Sequence, residues 1–196
     1  MNKIIAFSII LFSTLSFSQN KIGVFSGINY SYFTEGVFKG VNAENSIGLQ
    51  IGALYEMGLT KKVSFRPKLI FSQQGDRTKT EYNGFGDIET NELDYKLSYI
   101  NVPLDFKFWN KIYLIAGPQI GFLVSQKAEG VYVGKVKSNT DIGFNLGTGF
   151  KIDKVFVEFG VYQGLTTLLN YQYESTGSIV DVKNGFAKFT LGYNFN

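Results

Sequence analysis

The chain contains no cysteine and no histidine among its 196 residues. The absence of cysteine excludes a disulfide framework and thiolate chemistry. The absence of histidine removes the commonest general base and the commonest metal ligand. A nucleophilic serine would have to use a lysine or a carboxylate as its base, and the sequence shows no specific serine–lysine arrangement. We therefore expect no enzymatic activity, no cofactor and no metal site.

Long apolar runs are also scarce, because only the start of the chain carries one. A basic tip at Lys3 precedes an apolar run from Ile4 to about Leu15, and Ser16-Phe17-Ser18 follows. This pattern predicts a secretory signal that is cleaved after Ser18, with small residues at the two positions that the signal peptidase reads. The alternative, a membrane anchor, is disfavoured because a spanning helix needs ~20 apolar residues. We predict a signal peptide at 1–18 and one domain at 19–196.

The charges of the remaining chain are nearly balanced. Without Lys3, 18 of the 19 basic side chains remain against 16 acidic ones, and they are scattered along the sequence. Such a balance gives no indication of nucleic acid as a partner. Since no further stretch of ~18 apolar residues follows, we expect no membrane helix after the signal.

What the sequence does contain is strict alternation of apolar and polar residues, which predicts β-strands. The predicted strands have about 9–13 residues, more than the ~5–6 typical of soluble proteins. A tilted strand that crosses a bilayer needs ~9–11 residues. The eight segments are Ile22–Tyr32, Ile47–Met57, Val63–Gln74, Ile100–Phe108, Ile112–Val124, Asp141–Ile152, Val155–Leu165 and Lys188–Asn196.

The connections between these strands alternate between short and long. The short ones lie near 58–62, 109–111 and 153–154, whereas the long polar ones span 33–45, 75–94, 125–140 and 166–184. Outer-membrane barrels have short periplasmic turns and longer external loops. We therefore predict an all-β, eight-stranded, antiparallel up-and-down transmembrane β-barrel with both termini on the periplasmic side.

The two faces of the strands decide between a membrane barrel and a soluble lipocalin-like barrel with an apolar interior. One face is almost entirely Ile, Leu, Val and Phe, which would overfill the lumen of eight strands if turned inward. We therefore expect the charged face to line the lumen, with Glu56 beside Arg66 and Glu158 beside Lys151. The predicted lumen network is Glu56, Arg66, Lys68, Asp105, Lys107, Lys151 and Glu158, with Asp141 and Lys188 on the same face.

Aromatic residues near the strand ends predict the girdles that barrels place at membrane interfaces. These are Tyr30, Tyr32, Tyr55, Phe71, Phe108, Trp109, Tyr113 and Tyr193. The final strand carries Phe189, Leu191, Tyr193 and Phe195 on one face, and it resembles the C-terminal signal that the barrel-assembly machinery reads. Phe195 is the penultimate residue, whereas many barrels end on the aromatic itself.

The segment YINVPLDFKFWNKIYLIAGPQIGFLV (Tyr99–Val124) resembles a hairpin of the small PorT-like outer-membrane barrels of Bacteroidota. The likeness lies in Pro103, the short turn and the Ala116-Gly117-Pro118 step, and the closing Leu191–Phe195 is similar too. The resemblance implies an integral outer-membrane protein folded by the assembly machinery. Some PorT-like proteins are associated with type IX secretion, and the resemblance carries no functional residue to this chain.

Two loop motifs superficially resemble ligand-binding loops, but neither has the spacing that its ligand requires. The acidic segment Gly86–Asp94 could offer Asp87, Glu89, Glu92 and Asp94 to calcium, but it lacks the ordered spacing of a calcium loop. The segment Gly130–Lys135 has the wrong glycine spacing for a phosphate loop and no Ser or Thr after the lysine.

Three functions remain open: a non-enzymatic barrel with a structural or surface-interaction role, a diffusion pore, and an accessory component of a secretion system. The expected partners are outer-membrane lipid and the assembly machinery, with a possible secretion or surface partner.

Overall fold

The computed structural model is an antiparallel sheet of eight long strands that closes on itself, and it describes residues 20–36, 39–40, 44–81, 90–129, 136–172 and 179–195. Two short strands, Lys39–Gly40 and Leu169–Gln172, pair with the outer parts of the first and last long strands. The eight long strands are β1 (Lys21–Gly36), β2 (Glu44–Gly58), β3 (Val63–Glu81), β4 (Thr90–Phe108), β5 (Ile112–Glu129), β6 (Thr140–Ile152), β7 (Val155–Gly164) and β8 (Ile179–Asn194).

The barrel closes through the pairing of β1 with β8. Their register runs from Gly23 opposite Asn194 to Thr34 opposite Lys183. Every other strand pairs antiparallel with its neighbours in chain order. Closure satisfies the backbone of the final strand and leaves no sheet edge exposed to lipid. The predicted eight-stranded up-and-down barrel is confirmed.

The alternation of the sequence decides which side chains face outward. Along β6, Ile142, Phe144 and Leu146 are each about half exposed or more, whereas Asp141 and Asn145 between them are buried. The same alternation recurs around the barrel, so that the outer surface is an apolar band and the charged and amide side chains lie in the lumen. The soluble alternative with an apolar interior is wrong, because the large aliphatic side chains cover the outside.

The strands are longer at the outer end than the alternation predicted. The segment 75–94 was expected to be a loop, but β3 and β4 continue as a paired hairpin as far as Glu81 opposite Thr90. Each of these strands has 19 residues, about twice the length that a bilayer crossing requires. The sequence did not predict this extension because its residues are mostly polar. A strand outside the membrane needs no apolar face, so it lacks the alternation of apolar and polar residues. β5, β8 and β1 are likewise extended into segments predicted as connections.

The short turns lie where they were predicted. Gly58 and Val63, Phe108 and Ile112, and Ile152 and Val155 flank the three connections at this end. Trp109 and Asp153 have positive φ angles of 69° and 50°, which is uncommon for residues other than glycine and is accommodated here by tight turns. We call this end of the barrel the short-turn end, and the opposite one the outer end.

Several sequence predictions fall outside the described residues. These are the signal peptide at 1–18, Asp87 and Glu89 of the acidic segment, and the segment Gly130–Lys135. Glu92 and Asp94 are described only as backbone positions of β4. Within the described ranges, no helix is long and apolar enough to cross a bilayer.

Candidate functional site

A cluster of six charged side chains fills the lumen toward the short-turn end. It consists of three acidic and three basic residues, each at most 5% exposed, so that the cluster is electrically balanced. Four strands supply its members, because each of them carries polar residues at the lumen-facing alternate positions. The members are Glu56 on β2, Arg66 and Lys68 on β3, Asp105 and Lys107 on β4, and Glu158 on β7. We call this set the charged plug.

Arg66 lies at the centre of the charged plug. Its guanidinium forms a salt bridge with Glu158, and its Nε lies 3.5 Å from Oε2 of Glu56. The guanidinium carbon also lies 4.7 Å from the ring centre of Phe156 and 5.7 Å from that of Tyr113. A buried charge is stabilised only when such partners replace the lost water. Arg66 therefore has both carboxylate partners and aromatic faces.

The two lysines complete the pairing of the acids. Lys107 Nζ lies 2.9 and 3.1 Å from the two carboxylate oxygens of Glu56. Lys68 Nζ bridges two acids, at 3.0 Å from Glu158 Oε2 and 3.1 Å from Asp105 Oδ2. Every charge of the plug thus has at least one partner of opposite sign.

Tyr113 belongs to this cluster, so its prediction as a girdle residue is wrong. Its hydroxyl donates a 2.9 Å hydrogen bond to Glu158 Oε1, and Lys107 Nζ lies 4.6 Å from its ring centre. The reason is strand parity: Leu114 and Ile112 face outward, so Tyr113 between them faces inward. Of the other predicted girdle residues, Tyr32 is half-buried, and Tyr30, Tyr55, Phe71, Phe108, Trp109 and Tyr193 are exposed on the outer surface.

The structure brings together one of the two ion pairs expected from the sequence. Glu56 lies beside Arg66, as described above, but the expected pairing of Glu158 with Lys151 is wrong. In the β6–β7 register Glu158 lies opposite Gly149, and Lys151 lies opposite Phe156. Lys151 is half-buried near the short-turn end, whereas Glu158 reaches across the lumen to β3.

Farther toward the outer end the lumen is held by hydrogen bonds of amide and hydroxyl side chains and of Lys188. Gln50 Nε2 donates to Thr190 Oγ1 at 2.8 Å, and Asn29 Nδ2 donates to Ser72 Oγ at 2.8 Å. Lys188 Nζ donates to Asn145 Oδ1 at 2.7 Å. These amides were not predicted as site residues, although they occupy the same alternate positions as the charges. Asp141, also on this face, accepts a 3.2 Å hydrogen bond from Asn184 Nδ2.

Apolar side chains share the lumen with the polar ones, which the sequence reading missed. Phe25, Leu54, Ile70 and Phe156 form a buried cluster inside the barrel. Leu54 has the same strand parity as Glu56, so the alternation of β2 already predicts that it faces inward, and the structure buries it there. The lumen is therefore a packed core of charges, amides and rings.

Two glycines make room for the rings that contact Arg66. A Cβ added to Gly149 would lie 2.3 Å from the Tyr113 ring, and one added to Gly192 would lie 2.1 Å from the Phe156 ring. Such distances are far shorter than a van der Waals contact. The lumen-facing glycines of β6 and β8 thus have a packing role beside the charged plug.

The arrangement fits a structural plug better than a reactive centre. Its carboxylates are neutralised by neighbouring cations, and the group as a whole is enclosed by Phe156 and Tyr113. No group of three or more metal-ligating acidic, His or Cys side chains occurs in the ranges that the structure describes.

Comparison with solved structures finds barrels of the same kind. The surface protein NspA of Neisseria has a TM-score of 0.52 at 10% identity, over 89% of this chain and 97% of that one. The attachment invasion locus protein Ail of Yersinia pestis, solved in complex with the heparin analogue sucrose octasulfate, has a TM-score of 0.49 at 16% identity, over 90% of this chain and 99% of that one. At these identities the likeness concerns the fold alone. A comparison with curated proteins finds no match.

Family membership is clearer than these distant structural likenesses. The model of the family described as outer membrane protein beta-barrel domain matches residues 17–170, which is most of the chain. The lipid-facing apolar band and the closed sheet agree with that description. The chain belongs to the outer membrane protein beta-barrel domain family and is a protein of the outer membrane.

Proposed function

We propose that this protein is a closed, non-conducting and non-enzymatic barrel that acts through its outer end, where it contacts a partner at the cell surface. The observation that carries this proposal is the charged plug. Arg66, Tyr113 and Phe156 are each 1% exposed and lie inside the lumen toward the short-turn end. A path for a solute along the axis would have to displace a buried arginine that forms ion pairs with Glu158 and Glu56.

The strand number supports the same conclusion. Barrels of eight strands have an interior that side chains fill, and open aqueous channels occur at about 16 strands. Catalysis on lipid would require a nucleophile and a base accessible from the membrane or the outer surface. The chain has no histidine, and the acids of the plug are held by cations. Because the lumen supports neither transport nor catalysis, the function must reside at the ends of the barrel.

The outer end offers the larger surface. β3 and β4 continue beyond the length of a bilayer crossing, and β4 pairs with β5 as far as Asp94 opposite Glu129. Three neighbouring strands thus project together from one side of the barrel. A hydrogen-bonded projection of this kind presents a fixed surface to a partner more effectively than an isolated loop.

Conductance tests the closed lumen directly. The purified protein, folded in planar bilayers, is expected to give no steady current of porin size. A large and stable single-channel conductance would overturn the proposal. As a control for opening, Arg66→Ala together with Phe156→Ala removes two side chains of the plug and should raise the leak current if the plug blocks the lumen.

A deletion tests the surface role. Because Arg77 and Asp94 are cross-strand partners, residues 78–93 can be replaced by an Asn-Gly turn without changing the register of the hairpin. The shortened protein should fold and insert normally but lose cross-links to surface partners in intact cells. Unchanged cross-links in the shortened protein would show that the projection is not the contact surface.

A secretion role is the second candidate, and the PorT-like appearance of Tyr99–Val124 is the observation that favours it. The structure gives part of that motif a packing reason, because a Cβ on Gly117 would lie 2.3 Å from the Leu104 carbonyl oxygen. Co-purification of the intact protein with secretion subunits supports this candidate. Its absence, with cross-links at the surface retained, favours the first.

We also propose that the final strand is the signal for barrel assembly. Phe189, Leu191, Tyr193 and Phe195 all lie on the outer face, each 38–51% exposed, where the assembly machinery could read them before closure. Phe195→Ser should slow insertion in cells while leaving the stability of the folded barrel nearly unchanged. Insertion at the normal rate would contradict this role.

A further inference from the structure

The charged residues of the domain separate into three groups along the barrel axis. Inside the lumen, four basic residues (Arg66, Lys68, Lys107, Lys188) balance four acidic ones (Glu56, Asp105, Asp141, Glu158). The outer-end segments 33–46, 73–98, 123–140 and 165–187 contain 8 basic and 11 acidic residues. The short-turn end carries Lys21, Lys61, Lys62, Lys111, Lys151 and Lys154 against Asp153 alone.

We propose that the four exposed lysines of this group, Lys61, Lys62, Lys111 and Lys154, which we call the basic edge, bind the anionic headgroups of phospholipids in the inner leaflet of the outer membrane. Lys21 and Lys151 are half-buried at lumen-facing positions and are not part of this edge. The headgroup is of the phosphatidylglycerol type, with a phosphate and a net negative charge. In outer-membrane barrels the short turns face the periplasm, so this edge lies level with the inner leaflet.

The position of the lysines beside the lipid-facing surface supports a lipid ligand. Trp109 and Ile112 flank Lys111 and are 50% and 68% exposed, and Ile152 near Lys154 is 65% exposed. A lysine at such a boundary can lay its aliphatic stem on apolar surface and place its ammonium among the headgroups. The apolar band therefore ends where the basic edge begins.

The backbone fixes the turns that carry these lysines. The carbonyl oxygen of Lys62 accepts from Trp109 N at 2.7 Å, that of Lys111 from Lys151 N at 2.8 Å, and that of Lys154 from Asn194 N at 2.8 Å. The side chains of Lys61, Lys62 and Lys111 take part in none of the salt bridges found in the described ranges. Their charges are therefore available to an external anion.

The distribution of the lysines argues against a single soluble polyanion. The turns 59–62, 109–111 and 153–154 follow every second strand, so the positive charge forms a ring around the barrel. Many small anions that surround the protein match a ring better than one extended ligand on one side. Near an anionic surface each lysine contributes a preference of about fivefold.

Trp109 allows a direct measurement, because it is the single tryptophan of the chain and lies beside Lys111. The protein is folded into bilayers of phosphatidylcholine and phosphatidylglycerol, and either lipid carries acyl chains brominated near the headgroup. Quenching of Trp109 fluorescence then reports which lipid occupies the adjacent positions. We expect brominated phosphatidylglycerol to quench more strongly at equal mole fraction, and this excess to fall in high salt.

A charge variant provides the second arm. Lys61, Lys62, Lys111 and Lys154 are changed to Gln together; all four are exposed, and heat-modifiable gel mobility verifies folding. The preference for phosphatidylglycerol should fall at least about tenfold, given the contribution of each lysine. The matched control changes Lys96, Lys127, Lys137 and Lys183 of the outer end to Gln, which removes the same charge and should keep the preference.

Three results would overturn the proposal. Equal quenching by the two lipids in the unmodified protein at low salt is the first. The second is an equal loss of preference in the outer-end control. The third is binding of the unmodified protein to purified peptidoglycan, lost in the short-turn variant, without any lipid preference. These results do not depend on whether the lumen conducts, so they leave the proposed function of the outer end untouched.

Discussion

Arg66 and Glu158 form a salt bridge across the full width of the barrel, although 92 residues separate them in the sequence. Arg66 lies on β3 and Glu158 on β7, and three strands separate these two in either direction around the sheet. The pair therefore connects opposite walls, whereas backbone hydrogen bonds connect only adjacent strands. Such a contact resists ovalisation and opening of the barrel more directly than any pair between neighbouring strands.

Replacement of Arg66 by Met should destabilise the barrel strongly. The change leaves the acids of the plug in excess by one charge within a buried site, and the loss of one partner of a buried pair typically costs about 3–5 kcal/mol. Urea titration of the folded protein in bilayers, read by heat-modifiable gel mobility, measures the free energy of unfolding. Lys127→Met, at an exposed outer position, is the control and should change this energy little. Equal stability of the two variants would contradict the bracing role of Arg66.

Tyr113→Phe separates the hydrogen bond of this tyrosine from its packing. The variant keeps the ring beside Arg66 and Lys107 but loses the 2.9 Å bond to Glu158 Oε1. A hydrogen bond to a charged group contributes about 1.5–3 kcal/mol, so we expect a loss in that range in the same urea titration. Tyr55→Phe on the outer surface is the matched control. A loss no greater than that of the control would mean that Glu158 is satisfied by its two cations alone.

The membrane architecture was predictable because every second side chain of a strand faces the bilayer and must be apolar. Ile142, Phe144 and Leu146 face lipid, and the alternation of such residues with Asp141 and Asn145 is visible in the sequence alone. Short turns such as Asp153-Lys154 are equally local. The strand extensions beyond the bilayer were missed, because in β3 past Gly75 neither face must be apolar and the alternation disappears.

The partners inside the lumen were much harder to predict. Glu56 and Arg66 lie on adjacent strands joined by a short turn, so their proximity follows from local register. The partner of Glu158 depends on the diameter of the closed barrel and on the reach of Arg66 across it. The sequence of a single hairpin does not determine the diameter of the closed barrel. Lys151 was predicted as the partner of Glu158 because it lies on the adjacent strand, and this prediction was wrong. Tyr113 was wrongly assigned to the outward-facing girdle because it lies near a turn, although its position in the alternation predicts that it faces the lumen.

Gly192 should not tolerate a methyl group, since its added Cβ would lie 2.1 Å from the Phe156 ring. Overpacking of a filled core commonly costs about 1–3 kcal/mol, so Gly192→Ala should lower the urea midpoint and displace the ring from Arg66. Phe156→Leu in the same chain should restore part of the loss by making room. Gly160→Ala is the control, because its nearest contact would be 3.2 Å and its effect should be smaller. An absence of coupling between Gly192 and Phe156 in the double-mutant cycle would contradict this packing.

The depth dependence of a charge on the outer face tests the placement of the barrel in the membrane. Leu146 lies at the middle of β6 and is 58% exposed, whereas Ile152 lies at the short-turn end of the same strand and is 65% exposed. An arginine on the lipid face costs about 2–4 kcal/mol at the midplane and about 0–1 kcal/mol near an interface. Leu146→Arg should therefore lower the free energy of unfolding in bilayers by the larger amount, and Ile152→Arg by the smaller one. In detergent micelles, which deform around a charge, the difference between the two variants should shrink. An equal loss of unfolding free energy for the two variants in bilayers would mean that Leu146 does not lie near the midplane and Ile152 near the interface.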